Sequence, residues 1–407
     1  MRSWPAVDVP RLPDPPAPTL LRLHDTASSS LVEVHPQPDG ARLYVCGITP
    51  YDATHLGHAA TYLAFDTLAR IWLDQGHAVH YVQNVTDIDD PLLERAARDD
   101  VRWEDIAERE TELFRADMTA LRVLPPTWYV GAVEAMDEIA DLVLRLQAAG
   151  ATYTVDGDTY FSVAAASRFG AVSNLDATTM LRLSAERGGD PDRPGKKDPL
   201  DCLLWMQQRA GEPGWPSPLG TGRPGWHVEC AAMALARLGS TIDVQGGGSD
   251  LVFPHHELSA AEAEVATGTA PFAKAYVHAG MIGLYGEKMS KSLGNLVFVS
   301  RLLGLGSEPG ALRLALLAGH YRRNREWAPD LLTDAESRVE RWRKGICRAT
   351  GPDGSALLSA VRAAVCADLD TPTAIQVIDD WCATEGEDAD SPALVTQVAD
   401  ALLGVQL

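Results

Sequence analysis

The chain has 407 residues, 46% of them apolar, enough to bury a large core and to build two or three domains. Its 35 basic and 56 acidic residues leave a net charge of −21, which weighs against a large nucleic-acid footprint, and its six cysteines are too scattered for a disulfide framework. No apolar run reaches membrane length and the start lacks a basic-then-apolar secretion profile, so a soluble, cytoplasmic protein is expected.

Residues 1–18 carry Pro5, Pro10, Pro13, Pro15, Pro16 and Pro18, which predicts an extended arm lying on the surface. Leu43–Val45 predicts a buried strand running into Cys46 and Gly47, and Ala59–Gln75 predicts a helix closed by Gly76. Between them stands His55-Leu56-Gly57-His58. Two imidazoles at a helix N-terminus, where unpaired N–H groups and the helix dipole favour negative charge, can hold a phosphate during displacement. Gly57 would let a base or ribose lie against bare backbone. The plainer reading is a strand-to-helix turn with surface histidines. Ala78–Gln83 predicts the next strand, ending in Asn84-Val85-Thr86-Asp87-Ile88-Asp89-Asp90. Strand, helix, strand is half of a doubly wound α/β sheet, whose ligands sit at the carboxyl ends of the strands.

Amphipathic helices are predicted from Trp103 to about Leu121 and from Gly131 to Ala149. Tyr153–Val155 and Thr159–Phe161 predict a hairpin. A stretch rich in Gly, Pro and charge, Glu186 to Pro199, has no clear periodicity and reads as a functional or mobile loop. Gly225–Cys230 precedes a helix over Ala231–Leu238. Strands follow at Thr241–Gln245 and near Ala275–Ile282, and helices over 310–346 and 355–403. The expected division is arm and lead-in (1–40), first half of the catalytic sheet (41–120), connective insertion (121–200), second half (201–300) and a helical bundle (301–407).

Cys46, Cys230 and His255 make a metal proposal, since zinc takes thiolate and imidazole ligands and a catalytic site keeps one position open. Taken singly, each reads as a buried thiol or core histidine. Their placement in polar, Gly-flanked turns beside strand ends favours the metal. Cys202, Cys347, Cys366 and Cys382 sit in apolar patterns and read as structural. Lys288 and Lys291, in a Gly-flanked loop, could grip a triphosphate as charge builds on departing pyrophosphate.

These residues carry a resemblance. His55–His58 resembles the HIGH signature, and Lys288-Met289-Ser290-Lys291-Ser292 the KMSKS signature, of class I aminoacyl-tRNA synthetases. Tyr44–Asp52, Asn84–Asp90, Lys197–Leu200, Gly225–Cys230, Asp250–Glu257 and Lys288–Asn295 are similar to cysteinyl-tRNA synthetase, over about residues 20–380. The resemblance implies a Rossmann-like doubly wound parallel sheet with a connective insertion and a C-terminal helical bundle. It implies ATP taken with Mg2+, and Zn2+ on Cys46, Cys230 and His255 holding the thiol of L-cysteine. His55, His58, Lys288 and Lys291 would be catalytic. Gly47, Ile48 and Thr49, with Thr61, Asn84, Val85 and Thr86, would lie near the adenylate. Trp226 would pack over the cysteine, a core tryptophan being the alternative, and Gly248, Ser249, Asp250 and Ile282 would face the ribose and adenine.

Departures point to a sister branch. Ser259 stands where the synthetase usually has a fourth, glutamate ligand, Ala60 where many have Arg, and Pro91 where many have Lys. The loop Glu186–Pro191 and the arm beginning Ser3-Trp4-Pro5 resemble the cysteine ligases of mycothiol biosynthesis, which join L-cysteine to the amine of glucosaminyl-inositol. Residues 351–407 hold one basic residue, Arg362, against ten acidic ones, a poor surface for an anticodon. The expected reaction is therefore cysteinyl-adenylate formation followed by attack of the amino-sugar amine, with Asp250 or His227 as the base. A shortened cysteinyl-tRNA synthetase and a binding module without chemistry are the alternatives. No nucleic acid and no membrane partner is expected, and the chain is expected to be a monomer.

Overall fold

A computed structural model describes residues 1–13, 19–51, 53–284, 286–288 and 296–407, with Glu287 and Lys288 described by backbone alone. Lys291, the Lys288 side chain and the rest of the loop to Asn295 therefore lie outside the described residues.

The first buried strand runs over Ala41–Ile48, longer than its apolar core Leu43–Val45 suggests, and nearly every residue in it is buried. Continuous burial is what a parallel sheet covered on both faces demands. Five parallel strands form that sheet, ordered Ala273–Ala279, Ile242–Gly248, Ala41–Ile48, Val79–Val85 and Trp128–Gly131. The order reverses between the first strand in sequence, Ala41–Ile48, and the fourth, Ile242–Gly248. At such a switch point the connections leave in opposite directions and open a crevice beyond the strand ends.

The helix Leu56–Asp74 rises from this crevice, capped by His55, whose Nδ1 accepts the N–H of Gly57 at 3.1 Å. At the other end Gln75 is the cap, and Gly76, at φ +82°, turns the chain just beyond it. Several elements differ from expectation. The helix expected over Ala231–Leu238 begins at Trp226, so Trp226–Cys230 are its first turn, and residues 355–403 hold three helices, Gly354–Cys366, Thr371–Ala383 and Ser391–Leu403, each entered at an Asp cap. The helix expected from Gly131 starts at Met136, because Trp128–Gly131 instead forms the edge strand, where aromatic and β-branched side chains suit a half-covered pleat. The helix expected over 310–346 is two helices, Pro309–Leu317 and Pro329–Ile346, separated by the short strand Arg325–Glu326 paired with Ile282–Leu284.

Between the third and fourth strands stands an antiparallel sheet of Thr152–Val155, Asp158–Phe161, Cys202–Gln207 and Gly222–Pro224. The predicted hairpin is its first half. The described part of the arm, residues 1–13, has no regular structure. Trp4 anchors it, buried edge-on against Phe114 and Tyr129 and donating from Nε1 to Val123 O at 2.8 Å. Among the described residues no helix is long and apolar enough to cross a membrane.

A buried ionic node ties the crevice helix to the C-terminal helices. Asp66 accepts from Arg70 Nε at 2.8 Å, from Arg313 Nη2 and from the N–H of Leu124 at 2.7 Å. Two guanidinium groups share one carboxylate, so their remaining N–H groups go to the carbonyls of Leu121, Arg122, Asp400, Ala401 and Leu403. Burial opposes the charge on Asp66, yet Arg313 and Arg70 outweigh it and hold its carboxyl below the ordinary range. Burial pulls Arg313 down to about 10 even so, as expected where positive charge exceeds negative. Removing one member strands the others. Asp66→Ala is expected to cost about 3–5 kcal/mol in urea unfolding. Since the folded-state value of Asp66 is depressed, its contribution is present above the ordinary carboxylate range and lost as pH falls through the folded value; Asp66→Asn should remove that acid sensitivity.

Candidate active site

The end of the first strand builds one wall of the crevice. Its backbone is irregular between Val45 and Ile48, and the break lets Cys46 turn inward while Gly47 presses on the neighbouring strand. A Cβ on Gly47 would lie 1.6 Å from the carbonyl oxygen of Asn84, so only glycine fits. Asn84 Oδ1 accepts from Gly47 N–H at 2.7 Å and from Tyr44 OH at 3.1 Å, while its Nδ2 donates to Thr86 Oγ1 at 3.2 Å. The N–H of Thr86 donates to Ile48 O at 2.9 Å, and Val85 is fully buried. Gly47, Ile48, Asn84, Val85 and Thr86 therefore form one corner, and Thr49 follows it in a tight turn, its carbonyl accepting the N–H of Tyr51 at 2.9 Å.

His55 and His58 stack at the helix N-terminus, ring centres 3.8 Å apart and 24° from parallel. The space left by Gly57 is taken by the His55 ring, 2.8 Å from where a Cβ would be, so the glycine serves the histidine rather than leaving bare backbone. Thr61 turns its hydroxyl back to Gly57 O at 3.1 Å. The chain beyond the lysine loop returns here: His55 bridges Phe298, Leu56 N–H donates to Val297 O at 2.9 Å, and Val299 N–H to Thr54 O at 3.0 Å.

Cys46, Cys230 and His255 converge. Their ligand atoms lie within 4.8 Å of one another, among the described residues, although the residues come from a strand, a helix and a turn far apart in sequence. The sulfurs are 4.0 Å apart and unbridged, and His255 Nε2 is 3.2 Å from Cys230 Sγ. Two thiolates on one tetrahedral zinc stand about 3.8 Å apart, so the donor set fits such an ion. Cys230 and His255 are 1% exposed and Cys46 is 5% exposed. Burial opposes ionisation of Cys230, but hydrogen bonds with Cys46 and His255 take its thiol well below the usual range, while burial and the adjacent sulfur push Cys46 well up. His255 Nδ1 meets His227 Nδ1 at 3.0 Å, and burial keeps His227 neutral, so His255 can donate there and leave its Nε2 lone pair for an ion. Trp226 stacks on the His255 ring at 4.2 Å, which fixes that ring's plane.

Ser259 is buried and engaged elsewhere, accepting from Gln245 Nε2 at 3.2 Å and donating to His256 O at 3.4 Å. A residue not singled out from sequence, His256, puts Nε2 3.1 Å from Cys46 Sγ and Nδ1 2.7 Å from His278 Nε2, which continues to Thr26 Oγ1 at 2.7 Å. Only its position beside His255 hinted at this. Gly248, Ser249 and Asp250 close the fourth strand and open the next turn, while Ile282 is buried in a separate short strand. Around the site burial raises Asp87 and Asp89 to about 6 each and Glu229 well above its usual range.

A parallel sheet with a switch-point crevice, a His-x-x-His helix start on one lip and a thiol-imidazole trio on the other define the catalytic core of a class I aminoacyl-tRNA synthetase. The profile of tRNA synthetases class I (C) catalytic domain matches residues 33–337. Within that class the chain belongs to the family of L-cysteine:1D-myo-inositol 2-amino-2-deoxy-alpha-D-glucopyranoside ligases. It is 60% identical over 408 residues to the ligase of that name from Kribbella flavida, and 59% identical over 412 residues to that from Streptomyces coelicolor, each match covering 100% of both chains. Its fold is similar to that of Mycobacterium tuberculosis methionyl-tRNA synthetase in complex with methionyl-adenylate (TM-score 0.61, 16% identity, 89% of each chain). It is also similar to LeuRS in an Agrobacterium radiobacter LeuRS–tRNA–LeuAMS complex (TM-score 0.66, 12% identity, 91% of this chain and 84% of that one).

Two outcomes check this geometry. Gly47→Ala, which drives a methyl into the Asn84 carbonyl, is expected to cost about 3 kcal/mol or more in thermal or urea unfolding. His227→Phe is expected to weaken Zn2+ or Co2+ binding about 10–100-fold in chelator competition, with the fold intact.

Proposed function

We propose that the chain joins L-cysteine to the amine of glucosaminyl-inositol at the expense of ATP, through a cysteinyl-adenylate, releasing pyrophosphate and AMP. The observation that carries this reading is the buried trio Cys46, Cys230 and His255 at the mouth of a crevice whose other lip is the His55–His58 helix start. Selectivity needs such a device. A hydrophobic pocket separates side chains by only about 1–3 kcal/mol per methylene, too little to reject serine or alanine. Zinc held by Cys46, Cys230 and His255 would supply a soft Lewis acid that prefers a substrate thiol to a hydroxyl or methyl.

In the first step the cysteine carboxylate oxygen attacks the α-phosphorus of ATP, taken with Mg2+; a C–O–P bond forms and the bond to pyrophosphate breaks. His55 and His58, at the positive end of a helix, stabilise the crowded phosphorus, and Lys288 and Lys291 follow the charge onto the leaving group. Gly47, Ile48 and Thr49, with Thr61, Asn84, Val85 and Thr86, hold the acyl-phosphate, and Trp226 closes over the cysteine. Gly248, Ser249, Asp250 and Ile282 face the nucleoside. In the second step the neutral amine attacks the acyl carbon, AMP leaves with the bonding electrons, and the ammonium proton passes to a base. Asp250 or His227 would serve as that base, His227 also orienting His255.

The tail supports an amino sugar over tRNA as acceptor. Arg362, the one basic residue of 351–407, is itself buried and tied to Asp74 by bonds of 2.8 and 2.7 Å, leaving no cation of the tail for phosphate.

Cysteine-dependent exchange of pyrophosphate into ATP tests the first step, and AMP release on adding glucosaminyl-inositol, but not tRNA, tests the second. AMP formation stimulated by tRNA alone would overturn the reading. Cys230→Ser is expected to abolish both bound zinc and cysteine-dependent exchange while far-ultraviolet dichroism is unchanged; retained zinc would remove the metal assignment.

A further inference from the structure

Arg187 follows the helix Ala177–Glu186, at the head of the loop that lacks periodicity in the sequence. Its Nη1 donates to two carbonyls, those of Asp250 and Phe253. Both belong to the stretch Ser249–His256, which joins the fourth sheet strand to the helix Glu257–Thr267 through two short turns. Neither turn has a capping side chain of its own, and Phe253 drops into extended backbone at φ −139°, ψ 137°, which breaks the helical ladder. The side chains of Phe253, His255 and His256 are buried, but the backbone of the turn lacks a regular hydrogen-bond ladder of its own. Yet it carries Asp250, and it carries His255, the imidazole of the trio.

The insertion grips this segment a second time. The buried carboxylate of Glu257, next in chain after His256, accepts the N–H groups of Gly170, Val172 and Ser173 at 2.7, 3.2 and 2.7 Å. One clamp is a cation on carbonyls, the other an anion on amides, and they stand at opposite ends of the turn. We infer that Arg187 is a positioning residue of the active site, through which the connective insertion sets the placement of Asp250 and His255. Arg suits the task because one planar nitrogen with two hydrogens spans two carbonyls three residues apart in sequence, which locks their separation. The effect on turnover rests on the ligase reading above; the effect on the turn does not.

Arg187→Ala, Arg187→Lys and the parent protein separate the possibilities, with hydrogen exchange of the backbone amides over residues 250–257 and cysteine-dependent pyrophosphate exchange as the two readouts. In Arg187→Ala those amides are expected to exchange about tenfold faster or more, with the central sheet unchanged. Its kcat/KM for cysteine is expected to fall about 100-fold, the usual consequence of a misplacement near 1 Å. Added guanidinium ion should restore part of the activity of Arg187→Ala, and Arg187→Lys should fall between the two. Amide exchange and kcat/KM within about twofold of the parent would overturn the inference, as would a loss that neither guanidinium nor lysine relieves. If Arg187→Ala does not fold, Arg187→Lys decides: parental values in both readouts overturn the inference, and faster amide exchange with a lowered kcat/KM supports it. A parent protein without cysteine-dependent pyrophosphate exchange would sink the ligase reading, while the amide exchange would still decide the role of Arg187.

Discussion

Ionising two adjacent thiols out of water is costly unless something positive comes with them. Cys46 and Cys230 meet at 4.0 Å in near-complete burial, and only one of the pair ionises readily in the protein alone. A divalent ion held by Cys46, Cys230 and His255 would remove the conflict by replacing both protons. Much of the surrounding architecture reads as the means of keeping that trio assembled. The irregular strand end turns Cys46 inward, His227 and Trp226 fix the ring of His255, and His256 supports the Cys46 sulfur.

In the proposed reaction, selectivity and chemistry fall on different elements. The metal-type trio spans the first strand, the helix Trp226–Leu238 and the Ser249–His256 turn, whereas the histidine pair sits on a single helix start. They share the first strand, and Tyr62 of the lip helix donates its hydroxyl to Cys46 O at 3.3 Å. The trio and the helix start are therefore mechanically one piece, as the proposed reaction requires if the carboxylate is to be held between a thiol anchor and a phosphate anchor. Behind them the Asp66 node fixes the lip helix to the C-terminal helices, which serve as its backing.

The antiparallel insertion adds the third constraint. In a doubly wound sheet the connection between the third and fourth strands crosses the switch point, so whatever is inserted there stands beside the crevice. Here it grips the turn that follows the fourth strand, through Arg187 on one side and Glu257 on the other. A loop without periodicity in the sequence is in this way part of the site's scaffold.

Some of this was legible from residues alone. The βαβ rhythm, the two signature stretches and the three metal-type donors follow from local pattern, because strand burial, helix capping and ligand chemistry are properties of short stretches. The edge strand Trp128–Gly131 and the break between Leu317 and Pro329 escaped, since each depends on a partner strand distant in sequence. So did the role of Gly57, which makes room for a neighbouring ring, and those of His256 and Arg187, whose partners are 210 and 63 residues away. The sequence by itself determined which atoms could bind an ion or a phosphate. Only the tertiary structure decided which of them meet, because a hydrogen bond or a coordination site is set by distances of a few ångströms that chain separation does not encode.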